Sequence, residues 1–203
     1  MARARPAYTP RTISVHVENP KDKMFRTIRL IGHAIRDGSK YLPIRNHAAG
    51  LATLAGPKDY LGQVKEIYND AVKRWRYVND PFGTELLSYS PESLARLVLG
   101  LDNVGVGYGK GAGDCDCITA AIGAELMSIG RPIRIAVTAP ISAPPGPNFS
   151  HVFIQCFVPE YGWVTVDPVL HPKKGFGDIT PHSRIAYFSL SGNLINYSGN
   201  VRW

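Results

Sequence analysis

Between residues 57 and 76 the apolar positions Tyr60, Leu61, Val64, Ile67, Tyr68, Ala71, Val72 and Trp75 recur at spacings of three and four. That period predicts a long amphipathic helix with one buried face. The same spacing in Phe25, Ile28, Ile31 and Ile35 predicts a helix over 23–37, stopped by Gly38. Another helix is expected after Pro43, with Ala48, Leu51 and Leu54 as its apolar positions and an end near Gly56. Ser90-Pro91-Glu92 supplies an N-cap, a proline at the first helical position and an acid in the first turn, so a helix should run from there to about Gly100. Thr12 to Val17 alternates polar and apolar, the period of a strand. Asn79-Asp80-Pro81 is a turn signal, and residues 103–113 read as a glycine-rich loop. A helix over 115–129 follows, ended by Gly130 with Pro132 beyond it.

After residue 131 the period changes to that of strands, expected at 132–138, 151–158, 162–167 and 184–190. Residues 139–147 form a proline-rich connection, and Glu160-Tyr161-Gly162 marks a hairpin turn. Helices first and an antiparallel sheet second is an α+β pattern.

Composition adds limits. The chain has 203 residues, 44% of them hydrophobic, which suits one domain over 12–203 with a flexible basic arm at 1–11. No apolar run approaches the length that spans a bilayer, so no membrane segment is expected. The charged N-terminus lacks an apolar segment behind it, so no signal peptide is expected, and the location read from this is cytoplasmic. Net charge is +7, carried in part by Arg3, Arg5 and Arg11, by Lys21, Lys23, Arg26 and Arg29, and by Lys73, Arg74 and Arg76. That balance favours acidic partners. Nucleic acid is not expected as the main one, because zinc-finger, RRM and helix-turn-helix signatures are missing from the sequence. Three cysteines, two of them at 115 and 117, do not make a disulfide framework and suit a reducing compartment.

The chemistry concentrates in Gly113-Asp114-Cys115-Asp116-Cys117. Asp114 is a good N-cap, which puts Cys115 at the first helical position. The positive end of a helix favours a thiolate there, and the first-turn N–H groups can face an oxyanion. His151 opens one strand and Asp167 closes the next. If those strands form a hairpin, their outer ends are neighbours, and a carboxylate can orient an imidazole that serves the thiol. Plainer uses exist for each: a buried small residue for Cys115, an ordinary strand residue for His151, and a turn former before Pro168 for Asp167. Cys117 and Cys156 read as core. A zinc set of Cys115, Cys117, His151 and Cys156 is the rival use of the same atoms, at a spacing that zinc sites rarely use. The glycine stretch lacks the ending of a phosphate loop, and no cofactor is expected. His33, His171 and His182 read as surface or structural, and Trp75, Tyr77 and Trp163 as core or cleft wall.

Gly-Asp-Cys-Asp heading a small-residue helix, with Gly162-Trp163 four residues before Asp167, resembles the transglutaminase-like superfamily, bacterial transglutaminase-like cysteine proteases included. The resemblance covers roughly residues 57–170. It implies a papain-like fold with Cys115 as nucleophile, His151 as base and Asp167 as orienting residue. It also implies acyl transfer on a protein or peptide substrate through a thioester, as peptidase, amidase or crosslinking enzyme. Where relatives often have an acid, this chain has Cys117; Tyr108 is the candidate for a second oxyanion donor. Such domains also occur in phage genomes, which implies a place in the host cytoplasm or virion and a virion partner for the basic arm. The other reading in view is a catalytically idle fold serving as a structural or virion-assembly protein.

Overall fold

The computed structural model describes residues 12–14, 20–80, 86–101, 111–144, 146 and 148–199. The basic arm at 1–11, the second half of the expected first strand and Tyr108 lie outside the described residues. The order of elements is β1 (Thr12–Ser14), α1 (Pro20–Gly38), α2 (Leu42–Ala52), α3 (Tyr60–Arg74), β2 (Trp75–Tyr77), β3 (Leu86–Ser88), α4 (Pro91–Val98), β4 (Gly111–Gly113) and α5 (Cys115–Ser128). Then come β5 (Ile133–Ala139), β6 (His151–Val158), β7 (Gly162–Val166), a 3-10 turn (Pro168–Leu170), β8 (Arg184–Phe188) and β9 (Leu194–Gly199).

Helix α5 is the centre of the molecule. It is buried from Asp116 through Leu126, and a helix apolar on all sides has to be enclosed. Helices α1, α2, α3 and α4 surround it, and β6 closes the remaining side. Gly123 makes that enclosure tight: a Cβ there would meet Ile35 at 2.6 Å and Ile154 at 3.3 Å. The sheet runs β7-β6-β5-β8-β9, antiparallel throughout. Its inner face gives Ile135, Val137, Ile154, Cys156, Val166 and Phe188 to the core, each large aliphatic side chain contributing on the order of 1.5–3 kcal/mol by leaving water. The other face carries a smaller cluster of Ala136, Phe153 and Ile185, and Arg134 stacked between Trp163 and Tyr187. Helices packed on an antiparallel five-stranded sheet make an α+β architecture, compatible with a papain-like fold.

The boundaries depart from the sequence pattern where local chemistry overrides the period. Helix α1 begins at Pro20, because proline already has a helical φ and a first-turn N–H is not needed. Helix α2 stops at Ala52, which leaves Leu54 70% exposed and off the apolar face. Trp75 does not continue α3: its backbone is extended (φ −105°, ψ 151°) and it opens β2. Strand β2 pairs in parallel with β4, Trp75 opposite Gly111 and Tyr77 opposite Gly113. The last residues of the glycine-rich stretch are therefore strand, and Gly111 is needed because a Cβ would overlap the Leu97 carbonyl. Strand β3, which pairs with β1, and strand β9, exposed along its whole length, have no clear period in the sequence. Strand β7 ends at Val166 and β8 at Phe188, so Asp167 lies just past its strand.

Candidate active site

The turn Glu160-Tyr161-Gly162 does join β6 and β7, with Glu160 and Gly162 both at positive φ. The register sets Ile154 opposite Val166 and Gln155 opposite Thr165. Further out lie His151, three residues before Ile154 at the start of β6, and Asp167, one residue beyond Val166. Their side chains meet: His151 Nε2 is 2.6 Å from Asp167 Oδ2. Asp167 is buried, and the His151 ring stacks on Phe153. With Nε2–H donating to the carboxylate, Nδ1 is the nitrogen left to take a proton.

Cys115 reaches the same end of the sheet through the backbone. Asp114 caps α5, its side chain accepting from the Cys117 N–H at 3.3 Å. One turn on, the Thr119 hydroxyl faces both the Cys115 carbonyl (2.6 Å) and the Val152 carbonyl (3.0 Å). A single hydroxyl therefore ties the Cys115 turn to the residue after His151. Gly113 allows the turn to close, since a Cβ there would stand 2.7 Å from Cys117 Cβ.

The three cysteines differ in environment, and none is in a disulfide. Cys115 is partly exposed. Cys117 is buried and accepts the Ser88 N–H at 3.2 Å; burial, with Asp116 and Asp114 beside it, pushes its thiol well up. Burial pushes Cys156 up to about 12. Among the described residues the grouping of metal-ligating side chains is Asp114, Asp116 and Cys117, not the Cys₃His set weighed from the sequence.

Tyr77, expected from the sequence as core or cleft wall, is 45% exposed and is influenced by Cys115. Partial burial raises its phenol to about 12, and after burial the negative charge of Cys115 is the largest cause, ahead of Asp114, Asp116 and Asp80. The phenol thus lies in the field of the Cys115 sulfur and stays protonated. Beside it opens a pocket lined by Val72, Trp75, Tyr77, Ile118, Pro168 and His171, among others. Ile118 is on the turn after Cys115, and Pro168 follows Asp167. The sequence signal for Tyr77 was its place just past the long helix, which a parallel pairing with Gly113 turns toward the site.

His33 and His182 have local partners: Asp37 at 3.2 Å and the Thr180 carbonyl at 2.8 Å. A second ionisable cluster, unmarked by any motif, sits further along α5. His47 Nδ1 is 2.8 Å from the fully buried Glu125, its Nε2 is 3.4 Å from Asp70, and Asp70 holds Arg74 at 2.6 Å. Burial raises Glu125 to about 7, against the opposing pull of His47. The bond to Glu125 raises His47.

No family model matches the chain, and no curated protein matches it. One solved structure is similar: a crystal structure titled as that of "a putative protease" from Parabacteroides distasonis, 11% identical, with a TM-score of 0.49 over 83% of this chain and 30% of that one. The chain thus spans about a third of that protein's length. Among the described residues no helix is long and apolar enough to cross a membrane.

Proposed function

We propose that the protein is a cysteine acyl-transfer enzyme of transglutaminase-like type, acting on amide bonds of a protein or peptide through a thioester. The observation that carries the reading is the 2.6 Å bond between His151 Nε2 and Asp167 Oδ2, formed at the sheet end to which Thr119 ties the Cys115 turn. Cys115 Sγ attacks the amide carbon while His151 Nδ1 takes the thiol proton. The carbon–nitrogen bond breaks, and His151 returns the proton to the departing amine. Water or an acceptor amine then gives a proton to His151, attacks the thioester and releases the thiol. Asp167 holds the ring in one tautomer and stabilises its charged form.

Oxyanion stabilisation falls to two donors in this reading. The Cys115 N–H belongs to the first turn of α5, whose N–H groups the helix itself does not use. The Tyr77 phenol takes the role given to Tyr108 from sequence, which lies outside the described residues. The basic arm is then a docking element for an acidic partner, a virion protein included.

The test is hydrolysis of a casein or peptide-amide panel, and amine incorporation with dansylcadaverine, by wild type and by Cys115→Ser, His151→Ala and Asp167→Ala. Activity lost by at least about a hundredfold in the first two variants supports the reading. Equal activity in all four would overturn the triad as the source of the chemistry.

A further inference from the structure

Among the described residues, two of the buried polar atoms near the site that make no hydrogen bond are on Asp167 and Tyr68. Asp167 Oδ2 is bonded to His151, but among the described residues Asp167 Oδ1 has no hydrogen-bond partner. The Tyr68 hydroxyl has none either. The two residues are 5% and 4% exposed, so bulk water satisfies neither. A buried carboxylate with one bare oxygen is costly, and an ionised carboxylate has room for several donors. A buried tyrosine hydroxyl normally finds a partner.

The two orphans sit on elements that pack together. Tyr68 is on the buried face of α3, and α3 lies against the 3-10 turn that begins right after Asp167. The Tyr68 ring is fixed from the other side by Phe176, edge to face at 5.4 Å. Burial holds the phenol above its ordinary range, and Asp167 is the first charge to add to that, with Asp178 second. The phenol is therefore a donor through the neutral range, and the charge it senses most is the acceptor that lacks a donor.

We infer that Tyr68 is a positioning residue of the His151–Asp167 pair, its hydroxyl donating to one buried water that in turn donates to Asp167 Oδ1. The inference rests on reading that pair as catalytic. With both oxygens engaged, the carboxylate cannot rotate, and the imidazole presents Nδ1 in one direction. His151 is the titratable group bonded to the carboxylate, and Asp178 is the second acid whose charge acts on Tyr68. Trp75 is the rival donor, because its indole Nε1 is also buried and has no partner among the described residues.

Proton NMR tests this without any substrate. In wild type, one slowly exchanging hydroxyl proton is expected, lost in Tyr68→Phe and displaced in Asp167→Asn. The His151 ring N–H signal should move downfield in Tyr68→Phe, because a carboxylate stripped of one donor is a stronger acceptor for the other. Iodoacetamide alkylation of Cys115 below pH 7 should slow roughly three- to tenfold in Tyr68→Phe, the range of one ordinary hydrogen bond, and stay unchanged in Trp75→Phe. Tyr68→Phe keeps the ring on Phe176; if it nevertheless fails to fold, the wild-type hydroxyl signal and its response to Asp167→Asn decide alone. A ring N–H signal and alkylation profile that ignore Tyr68→Phe overturn the inference, as does a response to Trp75→Phe instead. Slow Cys115 alkylation in wild type would defeat the proposed function, while the proton signals would still report on the Tyr68–Asp167 link.

Discussion

The Thr119 hydroxyl lies 3.0 Å from the Val152 carbonyl, joining the first turn of the cysteine's helix to the strand that begins with His151. It also lies 2.6 Å from the Cys115 carbonyl, so one O–H serves two acceptors. Thr119→Val keeps the shape and removes the donor. It should cost about 1 kcal/mol of stability and lower Cys115 reactivity by roughly tenfold or more, since small misplacements at a reacting centre are expensive. Thr119→Ser should restore most of both. Urea unfolding and alkylation kinetics on the three proteins check this.

The buried thiols should be silent. A thiol held near 12, as Cys156 is, is thiolate to roughly one part in 10⁵ at pH 7. Cys117 is pushed up as well. Iodoacetamide at neutral pH should therefore label the folded protein at Cys115 alone, with all three sites labelled in guanidinium. Mass spectrometry of the digests reads the outcome directly.

Tyr77→Phe removes the proposed oxyanion donor from a side chain that is 45% exposed. Turnover should fall by about ten- to a hundredfold, with the melting temperature nearly unchanged. Because burial pushes the phenol up to about 12, its ionisation should add no limb to the rate profile below about pH 10.

The His47–Glu125 pair sets a pH dependence of stability. Both groups are raised in the fold, with His47 held up by Glu125. The folded pair keeps a shared proton at a pH where the unfolded chain has released its own. The histidine's share is fully present below its unfolded value of 6.5 and is lost as pH rises through its raised folded value, while Glu125's share is fully present below 4.5 and is lost as pH rises through about 7. Glu125→Gln should flatten the slope of melting temperature against pH between 6 and 8. Calorimetry across that range tests it, and a wild-type slope of the opposite sign would contradict it.

The helical periods of α1 and α3 and the hairpin of β6 and β7 were legible because one periodic face is buried in each. So was the cap that places Cys115, since Asp114 acts through the nearest N–H groups of its own helix. Tyr77 and β4 were hidden by distance: a parallel pairing between Trp75–Tyr77 and Gly111–Gly113 leaves no local pattern, and its glycines mimic a loop. Strand β9 was hidden because it buries nothing. The His47–Glu125–Asp70 cluster joins three helices, and each residue alone reads as a surface charge. Tyr68 was legible as core; that its hydroxyl has no partner among the described residues is a property of packing.

The most direct test of the central claim is the pH dependence of alkylation at Cys115, measured in wild type and in His151→Ala. The account predicts fast reaction at Cys115 near pH 6, lost by at least roughly tenfold when the imidazole is removed. A Cys115 that titrates like an ordinary thiol near pH 8.5, indifferent to His151, would contradict it.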